Sequence, residues 1–178
     1  MVIPGIDLNI VKEFGRQRSI QEETILLKEG EKAASAYFVI SGGVRLFFYT
    51  EKSEVTLEFF FENSFVSSFS SFTKGAPSNY WLETIEPSEL LDFSKDNIKR
   101  MSHRLPNLQS QYGEALENRL SEYIQRLHTF LSLNAQERYE ELVTSRPDLL
   151  LRVKQKYLAS YIGIAPESLS RIRSNRIR

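Results

Sequence analysis

The chain contains no cysteine. A disulfide, a thiolate nucleophile, an iron–sulfur cluster and a zinc–thiolate site are therefore excluded, and a reducing compartment suits the sequence. Histidine is nearly as scarce, with 2 residues, His103 and His128. A metal centre inside a β-barrel needs several histidines and a carboxylate converging from strands. Both histidines lie beyond the strand-rich part of the chain and read as surface or helix-packing residues, not as haem ligands. Neither a Ser-His-Asp arrangement nor a phosphate-cradling glycine loop is visible. The first residues, MVIPGIDLNIVKEF, lack the basic segment and apolar run of a signal peptide. No apolar stretch approaches the roughly 20 residues that span a bilayer. These absences point to a non-enzyme without cofactor or metal, cytoplasmic and with no membrane partner.

What is present is aromatic and unevenly charged. Twelve Phe and eight Tyr in 178 residues, with 41% hydrophobic content, favour strands and suffice for a real core. Net charge is zero overall, yet residues 149–178 carry seven Lys/Arg against one acid, a net +6, which leaves −6 on the first 148 residues. A basic end on an acidic body suggests a polyanionic partner for that end; the alternative is a solvated tail.

From about Thr24 to Phe93 the chain reads as short strands. VRLFFYT (residues 44–50) and VTLEFFF (residues 55–61) are β-branched and aromatic and are joined by EKSE, a hairpin pattern. In the second run Val55, Leu57, Phe59 and Phe61 alternate with Thr56, Glu58 and Phe60. YWLETI (residues 80–85) and ELLDF (residues 89–93) follow, and Gly30, Gly42, Gly43 and Gly75 fall at turn-like points. The pattern suggests an antiparallel jelly roll or β-roll. Ser67, Ser68, Ser70 and Ser71 read as strand residues over a Phe-filled interior.

After Phe93 the period changes. SKDNIKRMSHRL predicts a helix stopping before Pro106, and residues 107–133 predict a long one. Leu116, Leu120, Tyr123, Leu127 and Phe130 are spaced 4, 3, 4, 3, a short coiled-coil seam. A symmetry mate is one partner for that seam; the chain's own barrel is the other. Asn134 with Glu137 three residues on is a capping box, starting a helix that runs to about Thr144.

YLASYIGIAPESLSRIR (residues 157–173) has helical apolar spacing interrupted by Gly163 and Pro166. Neither breaker needs to lie inside a helix. Gly163 can close one helix in the left-handed region, and Pro166 can open the next, where its missing N–H is harmless. The stretch is then a helix-turn-helix, with Leu169 and Ile172 facing back onto the first helix. The second helix exposes Pro166, Glu167, Ser168, Ser170, Arg171 and Ser174. Glutamate can accept from cytosine and arginine can donate to guanine in the major groove. Lys154, Lys156, Ser168, Arg173 and Arg176 would hold phosphates.

Gly30 followed by AYFVISGGV (residues 36–44), together with residues 157–173, resembles the Crp–Fnr family of bacterial transcription regulators. The resemblance implies an α+β architecture: an N-terminal β-roll (residues 1–106), a long dimerisation helix (107–133) and a helix-turn-helix domain (134–178). It implies a homodimer on double-stranded DNA, with RNA polymerase and a small-molecule effector as further partners. Glu167 and Arg171 match the family's base-reading acid and arginine. Ser170 and Pro166 lie beside them, and Pro166 stands where many members place another base-contacting arginine. Members add a β-hairpin wing, for which no room is visible, so it is expected to be reduced, placed earlier or absent. A module that has lost DNA binding is the alternative.

The family's cyclic-nucleotide binders use a glycine–glutamate pair and, about ten residues on, an arginine beside a small hydroxyl residue. Those positions fall on Ser67 and Ser68, and on Ser78 and Asn79. Lys74 is the only cation in the loop. A buried phosphate without an arginine is costly, so cyclic AMP is not the expected effector. Ser67, Ser68, Ser78, Asn79 and, by resemblance, Tyr123 remain as a pocket for a neutral or weakly polar molecule, or for none.

Overall fold

The structure is a computed structural model that describes residues 6–176. In chain order the elements are α1 (Leu8–Phe14), β1 (Arg16–Ile20), β2 (Ile25–Leu27), β3 (Ala36–Ser41), β4 (Val44–Tyr49), β5 (Glu54–Phe60), β6 (Phe65–Val66) and α2 (Phe69–Lys74). Then come β7 (Trp81–Thr84), β8 (Ser88–Phe93), α3 (Lys95–Arg104), α4 (Leu108–Ser132), α5 (Ala135–Ser145), α6 (Pro147–Arg152), α7 (Gln155–Tyr161) and α8 (Pro166–Arg176).

Two antiparallel four-stranded sheets, ordered β1-β8-β3-β6 and β2-β7-β4-β5, close over a core that includes Val39, Val44, Phe60, Leu82 and Leu90. The roll is covered on both outer sides. Helices α1, α3 and the start of α4 cover the first sheet through Val11, Phe38, Leu91, Phe93, Met101 and Ala115. The helix-turn-helix covers the second: Phe59 and Ile85 share one apolar cluster with Tyr139, Leu142, Tyr157, Leu158, Ile162 and Leu169.

A bulge in β5 makes that second contact. Leu46 pairs with Glu58 but Phe47 pairs with Thr56, so Leu57 is the extra residue and the alternation slips by one. Val55 and Phe60 thereby face the roll interior, while Phe59 and Phe61 face outward onto the helices. The simple alternation in VTLEFFF thus holds only up to the bulge. Glycine is required at Gly42, where φ is +89° and an added Cβ would lie 2.6 Å from the Pro87 carbonyl oxygen.

Four more elements differ from the sequence reading. α1 and β1 precede the expected start of structure, α6 restarts at Pro147, and Ser70 and Ser71 belong to helix α2 and not to a strand. Among the described residues no strand follows Phe93, so no wing hairpin is present there. None of the described helices is long and apolar enough to cross a membrane.

Candidate nucleic-acid interface and effector cleft

The helix-turn-helix is built as its breakers require. α7 ends at Tyr161 and is capped by Ile162, Gly163 takes φ +70°, and Pro166 is the first residue of α8. A Cβ on Gly163 would stand 2.8 Å from the Phe130 ring, so α4 presses directly on this turn. Leu169 is fully buried against α7, and Ile172 packs at its edge. Pro166, Glu167, Ser170, Arg171, Arg173 and Ser174 are exposed, and Ser168 is half-buried, its Oγ accepting from the Arg171 guanidinium at 3.2 Å. The Arg176 side chain lies outside the described residues.

Lys154 and Lys156 stand apart from that free face. Lys154 Nζ lies 2.8 Å from Glu22 and 2.9 Å from Glu23, and Lys156 Nζ lies 3.3 Å from the same Glu23 oxygen. The Tyr157 hydroxyl donates to it as well, at 3.1 Å. Hydrogen bonds from Lys154, then Tyr157 and Lys156, hold the Glu23 carboxyl down at about 2.

Several polar clasps that sequence reasoning missed tie the helix-turn-helix to the roll. The Arg152 guanidinium reaches Glu62 at 2.8 Å, Glu86 at 2.5 Å and the Gly42 carbonyl at 3.1 Å. Ser160 Oγ accepts from the Thr56 N–H at 2.7 Å and lies 3.0 Å from the Glu54 carbonyl. Arg126, on α4, donates to the carbonyls of Thr56 and Tyr161 and lies 3.8 Å over the Tyr161 ring. Arg45 is 2% exposed. It pairs with Glu54 and, at 2.6 Å, with Glu83, sandwiched between the Phe47 ring at 3.9 Å and the Tyr157 ring at 3.7 Å. The one signal available was a charged residue inside the apolar strand VRLFFYT.

Along α4, Leu116 (38% exposed), Leu120 (60%), Tyr123 (43%), Leu127 (59%) and Phe130 (37%) form an open apolar stripe, widened by Ile124 and Leu131. Between this helix, the roll and the helix-turn-helix lies a cleft of about 1810 Å³, walled by residues such as Leu46, Phe48, Val55, Phe72 and Tyr123. Ser67 and Ser68 line it, but their hydroxyls are already engaged. Ser67 Oγ donates to the Ser35 carbonyl at 3.0 Å. Ser68 Oγ lies 2.9 Å from Ser78 Oγ, which also contacts the Tyr80 carbonyl. Ser78 is buried and Asn79 exposed, and neither lines the cleft. A neutral serine pair therefore occupies the two positions that the resemblance aligns with an acid and an arginine. Among the described residues no cluster of three or more His, Cys, Asp or Glu could hold a metal ion, and both histidines are exposed.

A two-sheet β-roll joined by one long helix to a helix-turn-helix defines the class of protein. Residues 17–104 match the family described as cyclic nucleotide-binding domain. The transcriptional regulatory protein btr of Bordetella pertussis is 29% identical over 100 residues, covering 49% of this chain and 41% of btr. The anaerobic regulatory protein of Aggregatibacter actinomycetemcomitans is 20% identical over 168 residues, covering 88% of this chain and 65% of its own. The chain thus spans less than two thirds of either relative. Among solved structures, the c-di-GMP responsive global regulator CLP of Xanthomonas campestris shares the fold with a TM-score of 0.77. Its identity is 21%, over 95% of this chain and 91% of CLP. The chain is thus similar to transcription regulators of the Crp–Fnr type.

Proposed function

We propose that the protein is a homodimeric, sequence-specific DNA-binding transcription regulator. The observation that carries this reading is α8 itself: Leu169 anchors it on α7 while Glu167, Ser170 and Arg171 are exposed on one face. A major groove admits such a helix, and those side chains can read base edges. The open stripe on α4 supports pairing with a second copy, which sets two reading heads about 34 Å apart on a palindromic site. Residues 1–106 then serve as sensor, 107–133 as pairing helix and 134–178 as reader, and RNA polymerase is the downstream partner. Binding to the DNA upstream of the protein's own gene, followed by fluorescence anisotropy across a salt series, tests this. Affinity should fall steeply with salt. Arg171→Ala should lose roughly 1–3 kcal/mol and relax specificity at one base pair per half-site. Salt-insensitive or absent binding would favour an interaction module without DNA.

Cyclic AMP is not the effector in this reading. The Ser68–Ser78 pair offers no cation for the cyclic phosphate, and desolvating that anion is costly. Calorimetry with cyclic AMP should show no binding up to millimolar ligand; a saturable heat would contradict the assignment.

A further inference from the structure

The charge split between the body and the C-terminal segment has an internal counterpart. Of the five cations between residues 149 and 178 whose side chains are described, three are paired with carboxylates of the roll: Arg152 with Glu62 and Glu86, Lys154 with Glu22 and Glu23, and Lys156 with Glu23. The Arg152 clamp is half-buried and shares its guanidinium with a backbone carbonyl, so it suits a structural role. The lysine pairs differ. Both lysine side chains are about half exposed, 44% and 57%, and exposed pairs of this kind add little to stability.

The carboxylates are nevertheless held in place with care. Glu23 sits at φ +56°, a left-handed conformation that a non-glycine residue adopts only when its surroundings impose it. Thr84, fully buried in β7, imposes it from both its backbone and its side chain. Its carbonyl accepts from the Glu23 N–H at 2.8 Å, its Oγ1 accepts from the Thr24 N–H at 3.0 Å, and that hydroxyl lies 2.6 Å from the Gln21 carbonyl. A fixed turn thus presents two carboxylates to two ammonium groups at the start of α7, the helix that in a helix-turn-helix crosses the DNA backbone. A carboxylate and a phosphate oxygen make the same kind of hydrogen bond to an ammonium.

We infer that the Glu22–Glu23 turn is a built-in competitor for DNA phosphates, occupying Lys154 and Lys156 until a duplex displaces it. This rests on the DNA-binding reading and names how that site is regulated. Duplex binding must exchange internal ion pairs for phosphate contacts. The exchange lowers affinity and flattens its salt dependence, because salt weakens the internal pairs as well.

The test uses the full chain and a fluorescein-labelled duplex of random sequence, in anisotropy titrations over a salt series. Glu22→Gln/Glu23→Gln should bind roughly tenfold tighter at the lowest salt. Its slope of log affinity against log salt should be steeper by up to about two. Adding Lys154→Gln/Lys156→Gln should abolish the gain. Glu22→Gln alone, which touches only Lys154, should give a smaller gain that Lys154→Gln removes. It serves also if the double variant folds poorly. Equal affinity and slope for wild type and variants would overturn the competitor while leaving DNA binding intact. A gain that survives loss of both lysines would overturn it too, as a general charge effect. If no form binds duplex even at the lowest salt, this inference and the DNA-binding reading fall together.

Discussion

Replacing Arg45 with alanine is expected to cost about 3–5 kcal/mol of folding stability. The guanidinium is 2% exposed and Glu83 beside it 8% exposed, so the change strands a buried carboxylate with no countercharge. Arg45 Nε donates to Glu83 at 2.6 Å, its Nη2 to Glu54 at 2.9 Å and its Nη1 to Thr56 at 3.3 Å. Its two faces are covered by Phe47 and Tyr157, which also lose packing. Lysine is no substitute, since it can neither fork between two carboxylates nor stack as a plane. Urea denaturation followed by the fluorescence of the single tryptophan, Trp81, suits the measurement, because its ring stacks 6.1 Å from that of Phe47. Adding Glu83→Gln to Arg45→Ala should restore a substantial part of the loss by removing the stranded charge. A loss below about 1 kcal/mol for Arg45→Ala would mean that Glu83 finds water instead.

Arg45 also marks the limit of what the sequence discloses. The β4–β5 hairpin, the helix beginning after Ser94, the capping box at Asn134 and the Gly163–Pro166 turn were all legible, because each depends on residues within one or two turns of chain. β1 was not: Arg16 and Gln17 are exposed on an edge strand, so the segment shows no apolar alternation. α2 was not either, since a serine-rich run carries no apolar helical period and the helix is closed by a left-handed Gly75. In β5 the extra residue at Leu57 reverses the faces without altering composition. The exposed face of α8 followed from local periodicity. What could not follow is the docking of α7 on the roll, because the pairing of Lys154 with Glu23 spans 131 residues. Periodicity says which face is apolar or charged; it does not say which surface meets it. The basic segment therefore pointed outward to DNA in the sequence, while the structure turns part of it inward.

That docking sets the second large effect. Phe59→Ala should cost about 3–5 kcal/mol, the range for emptying a buried aromatic site. Phe59 is 3% exposed and its ring centroid lies 5.1 Å from that of Tyr161, inside the cluster that also holds Leu158, Ile162 and Leu169. Its neighbour Phe60 is also well buried, at 6% exposed, but points into the roll with Val44 and Leu82. The bulge at Leu57 thus places two adjacent phenylalanines in different cores, and the two alanine variants should weaken different parts of the chain. Amide hydrogen exchange separates them. Phe59→Ala should lower protection in α5, α7 and α8 while leaving β3 and β8 protected; Phe60→Ala should expose the strands. If both variants lower protection uniformly, the roll and the helix-turn-helix open only as one unit. A swing of the helix-turn-helix away from the roll would then require global unfolding. If Phe59→Ala acts locally, the helix-turn-helix can leave its dock with the roll intact, and the acidic turn at Glu22–Glu23 then releases its two lysines in the same step.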